Sequence, residues 1–283
     1  MIDPAQTALA HRVVEPLHSF VYYAPETGQH LTALGLEPDR MSYVAGRAAA
    51  LGAVGAGPVT ATFYNFAPAL VARLVPRAWS LAVPEKVLAA RSDAARAALA
   101  RLLGEAASSA DVVEIAGLLR EACAALTPEG RPLYAAHADL PWPEEPLLDL
   151  WHGATLVREH RGDGHVAALL QAGLTGLEAL ITHTATGRGS TADAARATRG
   201  WTRDEWAAGE TALAGRGLLD GSGLTTEGRD LRRQVEAHTD ALSTDPWLHL
   251  GAERVARVVE LGGGLARRLL ESGAFASAGL ARG

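Results

Sequence analysis

The sequence predicts an all-α protein with one small β-wing, and three observations predict it. Apolar residues recur at helical spacing along most of the 283 residues; in Leu9–Tyr23, for example, Val13, Leu17, Phe20 and Val21 share one face. Proline and glycine punctuate these runs at short intervals, ending each helix before it grows long. Strand chemistry is confined to two places. Gly217–Leu224 carries a Gly-bearing turn suited to a minimal wing, and Val59–Phe66 is a β-branched, aromatic run that suits a short strand or the start of a buried helix equally well.

Taken in order, the N-terminal helix stops at Pro25, and a helix pair follows at Thr27–Leu34 and Asp39–Leu51. Gly52–Pro58 is a glycine-rich breaker, after which Pro68–Ser80, Pro84–Leu103 and Ala110–Leu126 read as helices. The proline-rich Leu140–Pro146 reads as a linker. Beyond it Leu147–His160 is helical, Asp163 is expected to cap a new helix beginning at Gly164, and Leu174–Thr184 follows. Thr186–Ser190 is a second breaker. Gly262–Gly264 reads as a kink or a close helix contact, and the tail after Ser272 as frayed. The expected organisation is an N-terminal helical domain at 1–140, a helical segment at 147–185, a third domain at 190–245 and a C-terminal helix at 246–283. Echoes such as Glu15-Pro16-Leu17 with Glu145-Pro146-Leu147, and Leu126–Arg131 with Leu224–Arg229, leave an internal duplication open against chance repetition in an Ala/Leu/Gly-rich chain.

Hydrophobic residues make up 48% and charged residues 20%, enough to build a core and too apolar for disorder. No uncharged run approaches a membrane span, and the N-terminus lacks a basic start followed by an apolar block, so a cytoplasmic protein is expected. The one cysteine, Cys123, rules out internal disulfides and thiolate metal clusters. The net charge of −6 lacks the electrostatic footprint of a nucleic-acid binder. Of the basic residues only Lys86 is lysine, which reads as base composition of the genome.

Thr191–Leu242 has the order of a winged helix-turn-helix. Ala192–Arg199 is a short first helix, and Trp201-Thr202 makes the turn, with Thr202 and Glu205 spaced as a capping box. Arg203–Gly215 occupies the place of a recognition helix, Gly217–Leu224 is the wing, and Thr225 opens a long exit helix. Its charge argues against DNA. Between 190 and 245 seven arginines face ten acidic residues, and Trp201–Gly217 sets Arg203 and Arg216 against Asp204, Glu205 and Glu210. Trp201 and Trp206 suit packing better than base contacts. The expectation is therefore a winged helix reused as scaffold, with nucleic acid disfavoured as a partner and a homodimer allowed.

The densest polar cluster is Arg158–His165, REHRGDGH. If a helix begins after Asp163, its free N–H groups favour an anion, and Arg158 and Arg161 could grip a carboxylate or phosphate. His165 in a first turn would be held neutral, and His160 or His165 with Glu159 or Asp163 beside it could move a proton. The spacing of His152, His160 and His165 does not match a helical zinc pair, so no metal is expected, and no cofactor motif is present. The bland alternative is that these groups cap helices and pair with one another. A second cluster, Tyr22, Glu26, His30, Arg47, Tyr64 and Asn65, could furnish the walls of a small-molecule pocket, or simply an aromatic core.

The stretch RAAALGAVGAGPVTATFYNFAPALV (Arg47–Val71), the REHRGDGH motif and the winged-helix segment together resemble a SalK-like actinobacterial helix-turn-helix family, and GRGLLD…LTTEGRDL resembles the winged helix of MarR-type regulators. The first resemblance covers nearly the whole chain and implies a companion of natural-product pathways. The resulting expectation is a protein that binds a small anionic molecule, acting as a cofactor-free acid–base enzyme (cyclisation, elimination or hydrolysis). The alternatives are a MarR-like ligand-responsive transcription factor and a binding protein that sequesters a metabolite.

Overall fold

The computed structural model describes residues 4–187, 189–221 and 223–275. Most of the tail expected to fray after Ser272, Ser222 of the wing and Arg188 of the second breaker lie outside the described residues. The regular structure described is helical apart from one hairpin. It runs α1 (Pro4–Ser19), α2 (Pro25–Ala33), α3 (Arg40–Ala48), α4 (Ala56–Phe63), α5 (Pro68–Leu81), α6 (Pro84–Leu103), α7 (Ala110–Cys123), α8 (Pro132–Ala138), α9 (Pro146–Gln171), α10 (Gly176–Thr184), α11 (Ala192–Arg199), α12 (Arg203–Gly215), β1 (Leu219–Asp220), β2 (Gly223–Leu224), α13 (Thr226–Ala241), α14 (Asp245–Leu250) and α15 (Ala252–Glu271). The all-α class with a small wing is as expected. No single described helix is long and apolar enough to cross a membrane.

The chain forms two units that interleave in sequence. One comprises the residues up to Ala53, Ala78–Gly164 and the stretch from Asp240 onward; the other comprises Val54–Arg77 and His165–Thr239. The proline-rich stretch at 140–146 falls inside the first unit and is tied down there. Arg120 donates to the Pro143 carbonyl at 3.3 Å, and its guanidinium lies 4.4 Å over the Trp142 ring.

In the first unit the core gathers Leu17, Phe20, Leu99, Ile115, Leu119, Leu150 and Trp247, all fully buried. Each such side chain contributes about 1.5–3 kcal/mol by leaving water. Here α1 packs along α15, and Gly262 lies at a close approach: a Cβ there would sit 3.1 Å from Val13. Gly262 therefore serves close packing, and the glycine run at 262–264 lies within a continuous helix and makes no break.

The largest departure from expectation is α9. No helix begins at Gly164; α9 runs unbroken through Gly153, Gly162 and Gly164. These glycines are contact points. A Cβ at Gly153 would lie 2.9 Å from the Leu119 Cβ, and one at Gly164 would meet Arg131 at 2.8 Å and Leu242 at 3.3 Å. Tertiary packing thus outweighs the weak intrinsic helix preference of glycine, which costs about 1 kcal/mol per residue.

In the second unit Val59–Phe66 contributes no strand. Its first half closes α4, where Thr62 returns its hydroxyl to the Pro58 carbonyl at 2.7 Å. The β-branched residues pack as helix because no neighbouring strand pairs with them. The core holds Leu174, Ile181, Trp206, Leu213, Leu219, Leu224 and Val235. The sequence echoes adopt different local structures: Pro16 lies inside α1 while Pro146 begins α9, and Gly130 sits at φ +70° while Gly228 is helical.

Gly176 begins α10 against the backbone of Tyr64, where an added Cβ would fall 1.9 Å from the carbonyl oxygen. No rotamer relieves a clash with backbone. Gly176→Ala should therefore destabilise the protein by about 1–3 kcal/mol, read as a lower urea midpoint by circular dichroism; an unchanged midpoint would contradict this packing.

Candidate functional site

Because α9 is continuous, its residues divide by face. Positions 151, 155, 158 and 159 lie on one side, three and four apart. At their centre Glu159 is fully buried and accepts from Arg47 through both oxygens, from Nε at 3.1 Å and Nη2 at 2.8 Å. Arg158 Nη1 donates to the same carboxylate at 2.9 Å, and Arg158 Nε lies 3.7 Å from the half-exposed Glu15 carboxylate. Burial alone would raise the Glu159 carboxyl, but the charges of Arg158 and Arg47 and the Arg47 hydrogen bonds outweigh it and hold it well below the usual carboxylate range. The two-pronged geometry is the strong form of an arginine–carboxylate pair.

A third buried guanidinium joins this cluster. Arg91 of α6 lies 4.7 Å over the Trp151 ring, and burial lowers its affinity for its proton. Tyr22 is hydrogen-bonded to Arg91, and burial pushes the Tyr22 phenol up to about 12. The Tyr22 hydroxyl also lies 2.8 Å from His18 Nε2, and His18 Nδ1 lies 2.9 Å from Thr155 Oγ1. Thr155 gives its own proton to the Trp151 carbonyl at 2.7 Å, so it accepts from His18 Nδ1–H, and His18 Nε2 accepts from Tyr22. Burial holds this imidazole neutral, far below its ordinary pKa. Arg47 and Arg158 thus share one fully buried carboxylate, with Arg91 and Glu15 beside them. Tyr22, Tyr43, Arg47 and Arg91 line an adjoining cavity of about 250 Å³.

Four of the residues singled out in the sequence therefore meet: Tyr22, Arg47, Arg158 and Glu159. The others do not join them. Glu26 is paired with Arg101 on the surface, at 3.0 Å for the longer contact, and His30 lies on α2 outside the cavity lining. Arg161 pairs with Asp240 at 2.9 Å. Tyr64 and Asn65 belong to the second unit, where the Tyr64 hydroxyl donates to the Leu174 carbonyl and the Asn65 carbonyl accepts from Trp201 Nε1 at 2.9 Å. Arg91, His18 and Tyr43 were missed. Arg91 was detectable, since it interrupts the apolar face of α6 formed by Val87, Ala94 and Ala98.

The groups expected to move protons are engaged otherwise. Asp163 lies inside α9 and caps α8, accepting the Leu133 and Tyr134 N–H groups at 3.0 and 2.9 Å. Burial still pushes its carboxyl up to about 6. His160 is buried edge-on to Tyr134 at 5.1 Å, and its own carbonyl accepts from Arg131. His165 belongs to the second unit, and its Nδ1 contacts Thr239 Oγ1 at 2.8 Å. With no helix start at Gly164, the anion-binding N–H groups expected there are spent inside α9, and His165 is in no first turn. Cys123 is a buried thiol pushed up to about 12 by burial. Among the described residues no group of three or more His, Cys, Asp or Glu side chains is placed to hold a metal ion.

In the second unit α10, α11, α12, the hairpin and α13 build a winged helix. Thr191 caps α11, Gly200 turns the chain at φ +80°, and Thr202 and Glu205 complete the capping box that starts α12. Gly200 admits no side chain, since a Cβ would lie 2.7 Å from Leu70. Trp206 is buried and donates to Glu210 at 3.0 Å, so both tryptophans near α12 serve packing. The exposed residues of α12 are Arg203, Asp204, Glu205, Ala207, Ala208, Thr211, Ala212, Ala214 and Gly215. Of its three acids, Glu205 is bound in the cap and Glu210 by Trp206.

Removing the shared carboxylate should be severe. Glu159→Gln leaves two guanidinium groups without their counter-charge, and about 3–5 kcal/mol of stability should be lost in a urea titration; a loss below about 1 kcal/mol would mean that water already screens the cluster. Acid should act separately. Burial lowers His11, His137 and His152 to about 4 and His160 to about 3. The unfolded chain then takes up protons first, so stability is full above about pH 6.5 and is lost as the pH falls toward about 4. Asp163, raised to about 6, and Glu15, also raised by burial, act in the opposite sense as the pH falls, but two carboxyls do not offset four imidazoles. Urea midpoints should drop between about pH 7 and about pH 5, below the histidine range and above that of ordinary carboxylates; equal midpoints would contradict the burial of these histidines.

A family model described as a helix-turn-helix family matches residues 7–276. No curated protein and no solved structure shows a significant match. The match takes in both the winged helix and the arginine cluster, and the chain belongs to this helix-turn-helix family.

Proposed function

We propose that the chain is a DNA-binding regulator of the winged-helix type that responds to a small anionic molecule. The observation that carries the reading is the outer stripe of α12. Counted along the sequence, the helix is acidic. In three dimensions Glu210 is held against Trp206, while Asp204 stands in the stripe and Glu205 stays exposed beside the cap; the rest of the stripe is alanine, threonine and glycine, with Arg203 at its start. A second helix with small, neutral side chains can enter a major groove, where alanine meets thymine methyls and threonine meets either edge. Membership of a helix-turn-helix family favours the same reading.

The sequence pointed first to an acid–base enzyme. That reading draws little support, because His160 and Glu159 are buried in structural contacts and Asp163 caps α8. The anion-responsive part rests on Arg47 and Arg91, whose guanidinium groups line a cavity of about 250 Å³ that Asp39 also lines. The resemblance to a SalK-like family supports the further proposal that the anionic molecule comes from a natural-product pathway.

Fluorescence anisotropy with duplex DNA from the region upstream of the protein's own gene would test DNA binding. Sequence-selective binding should weaken steeply between about 50 and about 200 mM salt. Ala208→Glu and Arg203→Glu should each reduce it by about tenfold or more. Absence of selective binding at low salt, or binding indifferent to both substitutions, would overturn the DNA reading.

A further inference from the structure

The cavity of about 250 Å³ in the first unit carries both signs of charge: Arg47 and Arg91 line it, and so does Asp39. Asp39 stands just before α3 at a φ of +60°, and its side chain makes no cap hydrogen bond. Among the described residues its carboxylate has no hydrogen-bond or ion-pair partner. An exposed acid at the mouth of a cavity that also holds two guanidinium groups sets a condition on any ligand, because a plain anion must sit in its repulsive field.

Helical spacing orders these groups. Asp39, Tyr43 and Arg47 follow at intervals of four and share one face, one turn apart. The Tyr43 N–H donates to the Asp39 carbonyl at 2.9 Å, so the first helical turn already includes Asp39. The rise of the helix therefore separates the Asp39 and Arg47 backbones by about 12 Å. Arg91 belongs to the Arg47 end, since its Cδ lies 3.7 Å from the place a Cβ would take on Gly46. Between the two ends lies Tyr43, its ring 4.9 Å from that of Tyr22, and Val21, Ala24 and Pro25 add apolar wall. The lining thus has a cationic end, an aromatic middle and an anionic end.

We infer that this cavity takes an elongated zwitterion, with a carboxylate at one end, an ammonium group at the other and an apolar or aromatic body between them. The carboxylate meets Arg47 and Arg91, the body lies along Tyr43, and the ammonium group meets Asp39. The inference rests on the anion reading of the same cavity and narrows it: the anionic group belongs to a molecule with no net charge. Opposite charges set apart on the protein select a ligand whose own charges are set apart in the same way.

The test is calorimetric titration of the full chain, without DNA, with four probes. These are 4-(aminomethyl)benzoate; 4-methylbenzoate, which lacks the ammonium; 4-methylbenzylamine, which lacks the carboxylate; and phenylalanine, whose two charges share one carbon. The first should bind about tenfold or more tightly than each of the others, the usual worth of a hydrogen bond to a charged group. Asp39→Asn removes the charge and keeps a side chain that tolerates positive φ; in that protein 4-methylbenzoate should bind as tightly as 4-(aminomethyl)benzoate. If the variant fails to fold, the discrimination in the unaltered protein decides the matter. Equal binding of 4-methylbenzoate and 4-(aminomethyl)benzoate to the unaltered protein would overturn the inference and leave the anion reading standing. Equal binding of 4-methylbenzylamine and 4-(aminomethyl)benzoate would overturn both. The inference also falls if phenylalanine binds as tightly as 4-(aminomethyl)benzoate, if the ammonium preference survives in folded Asp39→Asn protein, or if no probe binds at millimolar concentration.

Discussion

The first unit is organised around a single carboxylate. Glu159 is fully buried on α9, and it can stay ionised there only because Arg47 from α3 and Arg158 from its own helix face it at hydrogen-bond distance. Taking these charges out of water costs several kcal/mol per ion, which mutual attraction offsets only when the geometry is tight. That requirement fixes where α3 lies along α9. It also places Tyr22, His18 and Arg91 around the same point, because each must find a partner in the same dry space.

The helix that carries Glu159 depends on its glycines. Gly153 and Gly164 allow Leu119 and Arg131 to approach the α9 backbone, so the helix runs deep in the unit with polar groups on more than one side. Asp163 can then reach the start of α8, and Glu159 can reach Arg47. A residue with a side chain at either glycine would push the neighbours away and open these contacts. The same run of glycine and charge that looks like a break between two helices in one dimension is a closely packed stretch of one helix.

In the second unit the charge counted along α12 and the surface it presents differ at one acid. Glu205 and Glu210 count as acids on a recognition helix, yet one closes a capping box and the other meets Trp206. What α12 presents outward is mainly small and uncharged. The net charge of the segment is unchanged by this, and long-range repulsion from a phosphate backbone persists. The local surface differs from the sum at Glu210, which Trp206 holds, while Asp204 and Glu205 remain exposed.

The sequence by itself determined the helical class, the small wing and the winged-helix order, with the limits of α11 and α12 matching the expected ones. It could do so because hydrophobic period, caps and glycine turns are local properties, each written within a few residues. It also singled out Tyr22, Arg47, Arg158 and Glu159, since charged and aromatic groups in apolar runs stand out. Tertiary structure alone decided that these four meet, that Arg91 joins them, and that Asp163 caps a distant helix instead of starting its own. Only tertiary structure decided the continuity of α9 as well, because the partners of its glycines, Leu119, Arg131 and Leu242, lie far off in sequence. Whether a glycine breaks a helix or lets another element approach depends on what stands opposite it, and no local pattern contains that information.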